Sequence, residues 1–256
     1  MATKFKNSLR VNLLITMLLV GFSLKAQTTE EAQKMIYDGY IINSETLQKE
    51  AVKKLQERYD ADKTNTENLY QLLEAQYILL NGTMAAQNEA LFDDYIDEAV
   101  DNAKEMLDRD KNHAKTKGLL SALYGLRIAY SPMKGMFLGS KSSSLAEEAI
   151  GQKSEPLAWL KYAGNKYNTP ETWGGDKQEA LKSFKKAVDL FESNQENLNN
   201  NYHYLDALAW LGIAYKNAGE VAKAKQQFEK ALAQEPDFSL VKYALLPNTE
   251  KALANQ

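Results

Sequence analysis

From Thr28 to the carboxyl end, apolar residues recur every three or four positions, and no run of similar length alternates with period two. That regularity argues against strands and leaves helices that must bury one face against each other. Leu47, Ala51, Leu55 and Tyr59 step by four and share a face. Leu69, Leu72, Leu73, Gln76 and Leu80 form the next stripe, and Tyr95, Ala99, Ala103, Met106 and Leu107 another. The pattern predicts helices over 29–42, 44–60, 65–81, 88–109, 113–130, 142–150, 154–167, 177–194, 201–218, 220–234 and 238–253. Thr28, Thr64, Ser144 and Asp176 each precede a glutamate by three positions, the form of a capping box in which side chain and backbone amides satisfy one another. Pro247 has no amide and is expected to break or kink the last helix.

The carboxyl end carries a fixed spacing. With Leu208 as position 4, Leu211, Gly212, Tyr215, Ala224, Phe228, Ala231 and Pro236 fall at 7, 8, 11, 20, 24, 27 and 32. Gly212 and Ala224 are small where two antiparallel helices cross closely. Leu211, Tyr215, Phe228 and Ala231 fill the space around the crossing, Gly219 supplies a turn with positive φ, and Pro236 ends the second helix. Ala180, Phe184 and Ala187 repeat the 20, 24, 27 spacing, with 154–167 as the partner helix and an inserted turn, Asn168 to Gly175, between them. Upstream the pattern decays; Leu69 and Leu72 suit positions 4 and 7, and Tyr124, Gly125 and Ile128 suit 7, 8 and 11.

On these residues the chain resembles the tetratricopeptide-repeat (TPR) family, most clearly over 205–236. The resemblance implies an all-α fold: a right-handed superhelix of about five antiparallel helical hairpins, a TPR-like α-solenoid, with a carboxyl-terminal capping helix and one repeat domain over 27–256. More loosely, Gly139-Ser140, Gly174-Gly175-Asp176, Ala180, Phe184 and Ala187 are similar to the periplasmic T-components associated with tripartite ATP-independent periplasmic (TRAP) transporters. That likeness implies a helical protein that can form homo-oligomers and partners a periplasmic solute-binding protein, with no catalytic residues to carry over. The chain departs from some members in having no cysteine for lipidation.

The first 26 residues read as a separate segment. Lys4, Lys6 and Arg10 precede the apolar run Val11 to Leu24, and Lys25-Ala26-Gln27 follows. A basic start, a short apolar centre and a small residue at the cut describe a secretory signal cleaved near Ala26, with a retained membrane anchor as the alternative. Cleavage there would turn a formal charge of -3 into -7. Export combined with no cysteine points to a bacterial periplasm rather than a disulfide-bearing extracellular domain.

Composition excludes much chemistry. Without cysteine there is no thiol nucleophile and no thiolate metal site, and there is no basic excess for nucleic acid. His113 and His203 lie far apart, have no second ligand at helical spacing, and read as surface histidines. No Ser-His-Asp order or Gly-x-Ser-x-Gly motif occurs. The expectation is therefore no enzyme, no catalytic residue, no metal and no cofactor; a hydrolase with an unrecognised carboxylate pair is the remote alternative.

Binding candidates follow from the resemblance, since the first helix of each TPR hairpin lines a concave groove. It offers Tyr70, Glu74 and Tyr77, then Arg127 and Tyr130, then Asp206, Lys216 and Asn217. The other reading of Tyr70, Tyr77 and Tyr130 is packing between repeats. Two loops add candidates. Residues 131–140 carry Met133, Met136, Phe137 and Leu138, too apolar for free solvent, so they fold over the groove or meet a partner. In Trp173-Gly174-Gly175-Asp176, Asp176 caps the next helix and Trp173 packs or stacks on a ligand. The expected function is a scaffold binding a partner protein or peptide in the groove. The alternative is an accessory of a solute transport system that binds a small, apolar or lipid molecule.

Overall fold

The computed structural model describes residues 30–194 and 198–255, so the segment expected to be a signal, 1–26, lies outside the described residues. The helices are α1 (30–41), α2 (Glu45–Ala61), α3 (Thr66–Ala86), α4 (Glu89–Arg109), α5 (Ala114–Tyr130), α6 (Gly135–Ala149), α7 (Pro156–Asn168), α8 (Lys177–Glu192), α9 (Tyr202–Asn217), α10 (Val221–Gln234) and α11 (Leu246–Ala254). Consecutive helices pack as antiparallel hairpins, α1 with α2 through to α9 with α10, and α11 caps α10. This is the all-α hairpin array that the spacing predicts.

The starts of α2, α3, α4, α7, α8 and α9 are capped by side-chain oxygens and that of α5 by the His113 imidazole. Asp176 accepts from the amides of Gln178 and Glu179 at 2.9 Å, as expected. The cap of α3 is Asn65 rather than Thr64, and Asn65 Oδ1 accepts from the Asn68 amide at 3.0 Å. Ser144 caps nothing, because α6 begins nine residues earlier at Gly135. A 3₁₀ turn, Pro132–Lys134, leads into α6, so the segment expected to be a loop is mostly helix. Its second turn is fixed from beneath: Ser121 Oγ donates to the Ser142 carbonyl at 2.8 Å, and Ser142 Oγ donates to the Ser121 carbonyl at 2.9 Å. Two reciprocal buried bonds between small residues hold α5 and α6 close, which four-residue patterns do not reveal. Pro247 produces no break. The helix runs on through it, but a π-helical turn, Val241–Leu245, lies directly before it and widens the helix where proline has no amide to give.

Two apolar cores run along the array. One joins α1 to α5 through Ile36, Leu55, Leu73, Phe92, Met106 and Leu119. The other joins α7 to α10 through Leu160, Phe184, Leu208 and Phe228, and includes Phe238 and Val241. Phe184 and Phe228, one at position 24 of each carboxyl-terminal repeat, are fully buried, and each contributes roughly 1.5–3 kcal/mol. Helix α1 belongs to both: Ala32 and Ile36 pack in the first core, Ile41 in the second. The array therefore curls until its first helix meets its last repeat.

Gly212 is the close crossing its position predicts, facing the Phe228 ring. Gly219 has φ +81° at the α9–α10 turn. Gly125, read as the equivalent of Gly212, is exposed, and a Cβ there would meet nothing within 4 Å. The tight glycine of α5 is Gly118, beside Lys161 of α7. The degenerate repeat thus makes its close approach two helical turns from where the motif register places it.

Candidate functional site

The first helices of the hairpins turn polar side chains toward the inside of the curve, and these meet. Lys161 of α7 is 5% exposed. Its Nζ donates to the Tyr77 hydroxyl of α3 at 3.0 Å, lies 4.2 Å from that ring's centre, and stands 3.6 Å from Asp206 Oδ2 of α9. The other oxygen, Asp206 Oδ1, accepts from the Tyr40 hydroxyl of α1 at 3.1 Å. One ammonium and one carboxylate thus tie together α1, α3, α7 and α9. Burial works against the Lys161 ammonium, but Tyr77 and Asp206 outweigh it and hold its pKa above the ordinary lysine value.

A second group adjoins the first. Glu74 of α3 accepts from Tyr70 and from His203 Nε2 of α9, each at 2.8 Å. Burial raises the Glu74 pKa, yet hydrogen bonds from His203 and Tyr70 prevail and hold it below the usual glutamate range. Burial dominates at His203 and lowers its pKa, so the neutral ring donates its Nε2 proton to a charged Glu74. The Tyr202 ring lies tilted against that of His203, with ring centres 4.2 Å apart, and makes a second tilted contact with Tyr40. Desolvation keeps the hydroxyls of Tyr40, Tyr70 and Tyr202 neutral well beyond the ordinary range.

Beside this plug lies an open cleft of about 710 Å³ between α1, α3 and the entry to α9. Glu30, Lys34, Tyr37 and Asp38 line it from α1, Gln71 and Glu74 from α3, Tyr202 from α9, and Glu235 from beyond α10. Tyr37 donates to Glu235 at 2.8 Å and closes the far end. The lining holds four carboxylates and one lysine, Lys34, which pairs with Asp38. Among the described residues no three His, Cys, Asp or Glu are placed to hold a metal ion, and no described helix is long and apolar enough to cross a membrane.

The candidate residues divide into separate places. Tyr70 and Tyr77 enter the buried polar groups, joined by Glu74 and Asp206. Arg127 pairs with Asp97 of α4, and Tyr130 donates to Thr83 at 2.9 Å while its ring lies 4.1 Å from Phe92. These two join neighbouring hairpins and do not meet Tyr70. Asn217 bonds the Tyr167 hydroxyl, and Lys216 is half-buried beside it. Trp173 is 63% exposed on the 3₁₀ turn Glu171–Trp173. Leu138 packs on the first core, while Met133, Met136 and Phe137 point to solvent and do not fold over the groove. Leu208, Leu211, Ala224, Phe228 and Ala231 are buried, Tyr215 packs against the second core, and Pro236 follows the end of α10.

Sequence reasoning misses Lys161, Tyr40 and Tyr37, whose local patterns match any solvated or amphipathic face. It also misplaces His203, which is buried rather than on the surface. Position within the groove could have flagged His203, since it stands three residues before Asp206 on the same helix.

Residues 205–238 match the tetratricopeptide repeat family. Among solved structures, the chain is similar to TTC0263, a thermophilic TPR protein of Thermus thermophilus, at 16% identity and TM-score 0.57, covering 88% of this chain and 99% of that one. It also aligns with BtubC of P. vanneervenii at 18% identity and TM-score 0.40, covering 83% and 84%, and with MamA at 17% and 0.37, covering 86% and 97%. A search of curated protein sequences gives no match. The carboxyl-terminal hairpin is thus a tetratricopeptide repeat, and the array has the fold of a TPR solenoid.

Proposed function

We propose that this protein is an exported interaction scaffold of the tetratricopeptide type that holds a cationic segment of a partner polypeptide in the cleft between α1, α3 and α9. The observation that carries this reading is the cleft lining: Lys34 pairs with Asp38, which leaves Glu30, Glu74 and Glu235 as an acidic excess beside the neutral rings of Tyr37 and Tyr202. Carboxylates and tyrosine faces together suit a lysine or arginine side chain. The inner face of the curve beyond the cleft is filled by Lys161, Asp206 and their tyrosines, so an extended peptide along the whole groove has no room. The basic start and apolar run before Ala26 support a bacterial periplasmic location, and the T-component likeness supports a solute-binding protein as the partner.

Protein recovered from the bacterial periplasm, used as bait in periplasmic extract, should capture one stoichiometric partner. A Glu30→Gln/Asp38→Asn variant should lose it. No specific partner for the folded protein, or equal capture by the variant, refutes the reading. Cell fractionation that leaves the chain in the cytoplasm refutes the location.

A second reading, an accessory that binds a small molecule for a transport system, is favoured by the cleft volume, which lies within the roughly 300–1,000 Å³ of small-ligand sites. Native mass spectrometry of protein from its own host tests it. A carried ligand favours this reading, and bare protein that no metabolite stabilises removes it.

A further inference from the structure

The α5–α6 corner leaves three large apolar side chains in solvent within five residues. Met133 is 76% exposed, Met136 61% and Phe137 71%. They stand on a rigid base, because the Ser121–Ser142 bonds and the packing of Leu138 anchor the start of α6. The charge along this stretch of sequence is one-sided. From Lys111 to Ala146 there is no Asp or Glu, while Lys111, Lys115, Lys117, Arg127, Lys134 and Lys141 fall in that stretch of a chain with 34 acidic residues. Arg127 and Lys117 are neutralised by Asp97 and Glu148. Lys134 and Lys141 are exposed and make no ion pair among the described residues. Lys141 lies one helical turn beyond Phe137, and Phe137 one turn beyond Met133.

We propose that this corner docks on an anionic lipid bilayer, with Met133, Met136 and Phe137 entering the interface and Lys134 and Lys141 meeting lipid phosphates. Short apolar wedges flanked by lysines are what the headgroup boundary accepts: the rings and thioethers reach the acyl edge while the ammonium groups stay among the phosphates. A second copy fits poorly. The three side chains offer roughly 400 Å², about half of what each side of a stable interface buries, and a symmetric pairing would bring equivalent lysines together. No residue of the corner lines the cleft.

The test is sedimentation of the protein, as its host produces it, with vesicles of phosphatidylglycerol and phosphatidylethanolamine and with phosphatidylcholine vesicles. Wild type and variants share one amino terminus, so their difference reads the corner alone. Wild type should bind the phosphatidylglycerol vesicles, less so as salt rises, and bind phosphatidylcholine weakly. Met136→Ser/Phe137→Ser and, separately, Lys134→Glu/Lys141→Glu should each lower the bound fraction about tenfold while circular dichroism is unchanged. All these sites are exposed, so both variants should fold. Equal binding by variants and wild type overturns the proposal, as does failure of wild type to bind. Loss of a dimer or of a protein partner in the Ser variant, with vesicle binding intact, overturns it in favour of that occupant.

Discussion

Replacing Gly212 with alanine would place a Cβ 2.3 Å from Phe228 Cε1, 2.7 Å from Cζ and 2.8 Å from Cδ1. The ring must retreat by about an ångström, yet Phe228 is fully buried and belongs to the second core. In an open helix the same substitution gains roughly 0.8–1 kcal/mol, because alanine loses less backbone entropy than glycine. Overpacking a dense core costs about 1–3 kcal/mol, and contacts this short belong at the upper end. The expected balance for Gly212→Ala is a loss of about 2 kcal/mol, read as a lower urea midpoint at unchanged slope. Gly125→Ala supplies the control: it lies in the interior of α5, a Cβ there meets nothing within 4 Å, and the variant should be more stable than wild type by roughly 1 kcal/mol. Phe228→Leu removes Cε1 and Cζ, the two atoms nearest the new Cβ, so Gly212→Ala should cost less in that background. If Gly212→Ala is as stable as wild type, or the two changes simply add, the close crossing of α9 and α10 is not what requires glycine.

Removing Lys161 should be costly, because Lys161→Met leaves Asp206, 13% exposed, with only the Tyr40 hydroxyl; a loss of about 3–5 kcal/mol is expected by chemical denaturation. Lys161→Met/Asp206→Leu should recover most of it, and equal losses in the single and double variants would show that the ion pair is not the cause. His203 is held below its ordinary pKa of 6.5, chiefly by burial, so below about that pH the unfolded chain binds the extra proton and stability falls as pH drops. Glu74, held below its ordinary 4.5, adds a further loss as pH falls through and beneath that value. His203→Gln keeps an N–H donor toward Glu74 and should reduce the first phase, leaving the part due to His113, which burial also holds below 6.5; parallel wild-type and variant curves from pH 7.5 to 5 would refute this origin.

Much of the fold is written in short-range spacing. Phe184 and Phe228, Ala180 and Ala224, and Gly212 and Gly219 occupy the places their positions require, because a helix presents residues three and four apart to the same neighbour. The reading weakens wherever a neighbour other than the adjacent helix decides. Ser142 lies inside α6 because Ser121 bonds it across the hairpin, and Gly118 rather than Gly125 makes the close approach because α7 crosses α5 there. The candidate site was half legible. Tyr70, Glu74, Tyr77 and Asp206 lie on the inner face of their helices as the groove register implies, but that register cannot say whether the groove is open.

Most of the helices, the pairing within the two carboxyl-terminal hairpins, their crowded crossing and the acid-free stretch around Met133 were legible in the sequence alone, since each depends on residues close together in the chain. Only the tertiary structure decided that the groove closes on itself. Tyr40 meets Asp206 across 166 residues, Glu74 meets His203 across 129, and Lys161 meets Tyr77 across 84. Those meetings depend on the summed rotation of five hairpins, to which each turn and crossing adds a small angle. No local pattern encodes that sum, and so the cleft and the buried ion pair beside it emerge only when the array is complete.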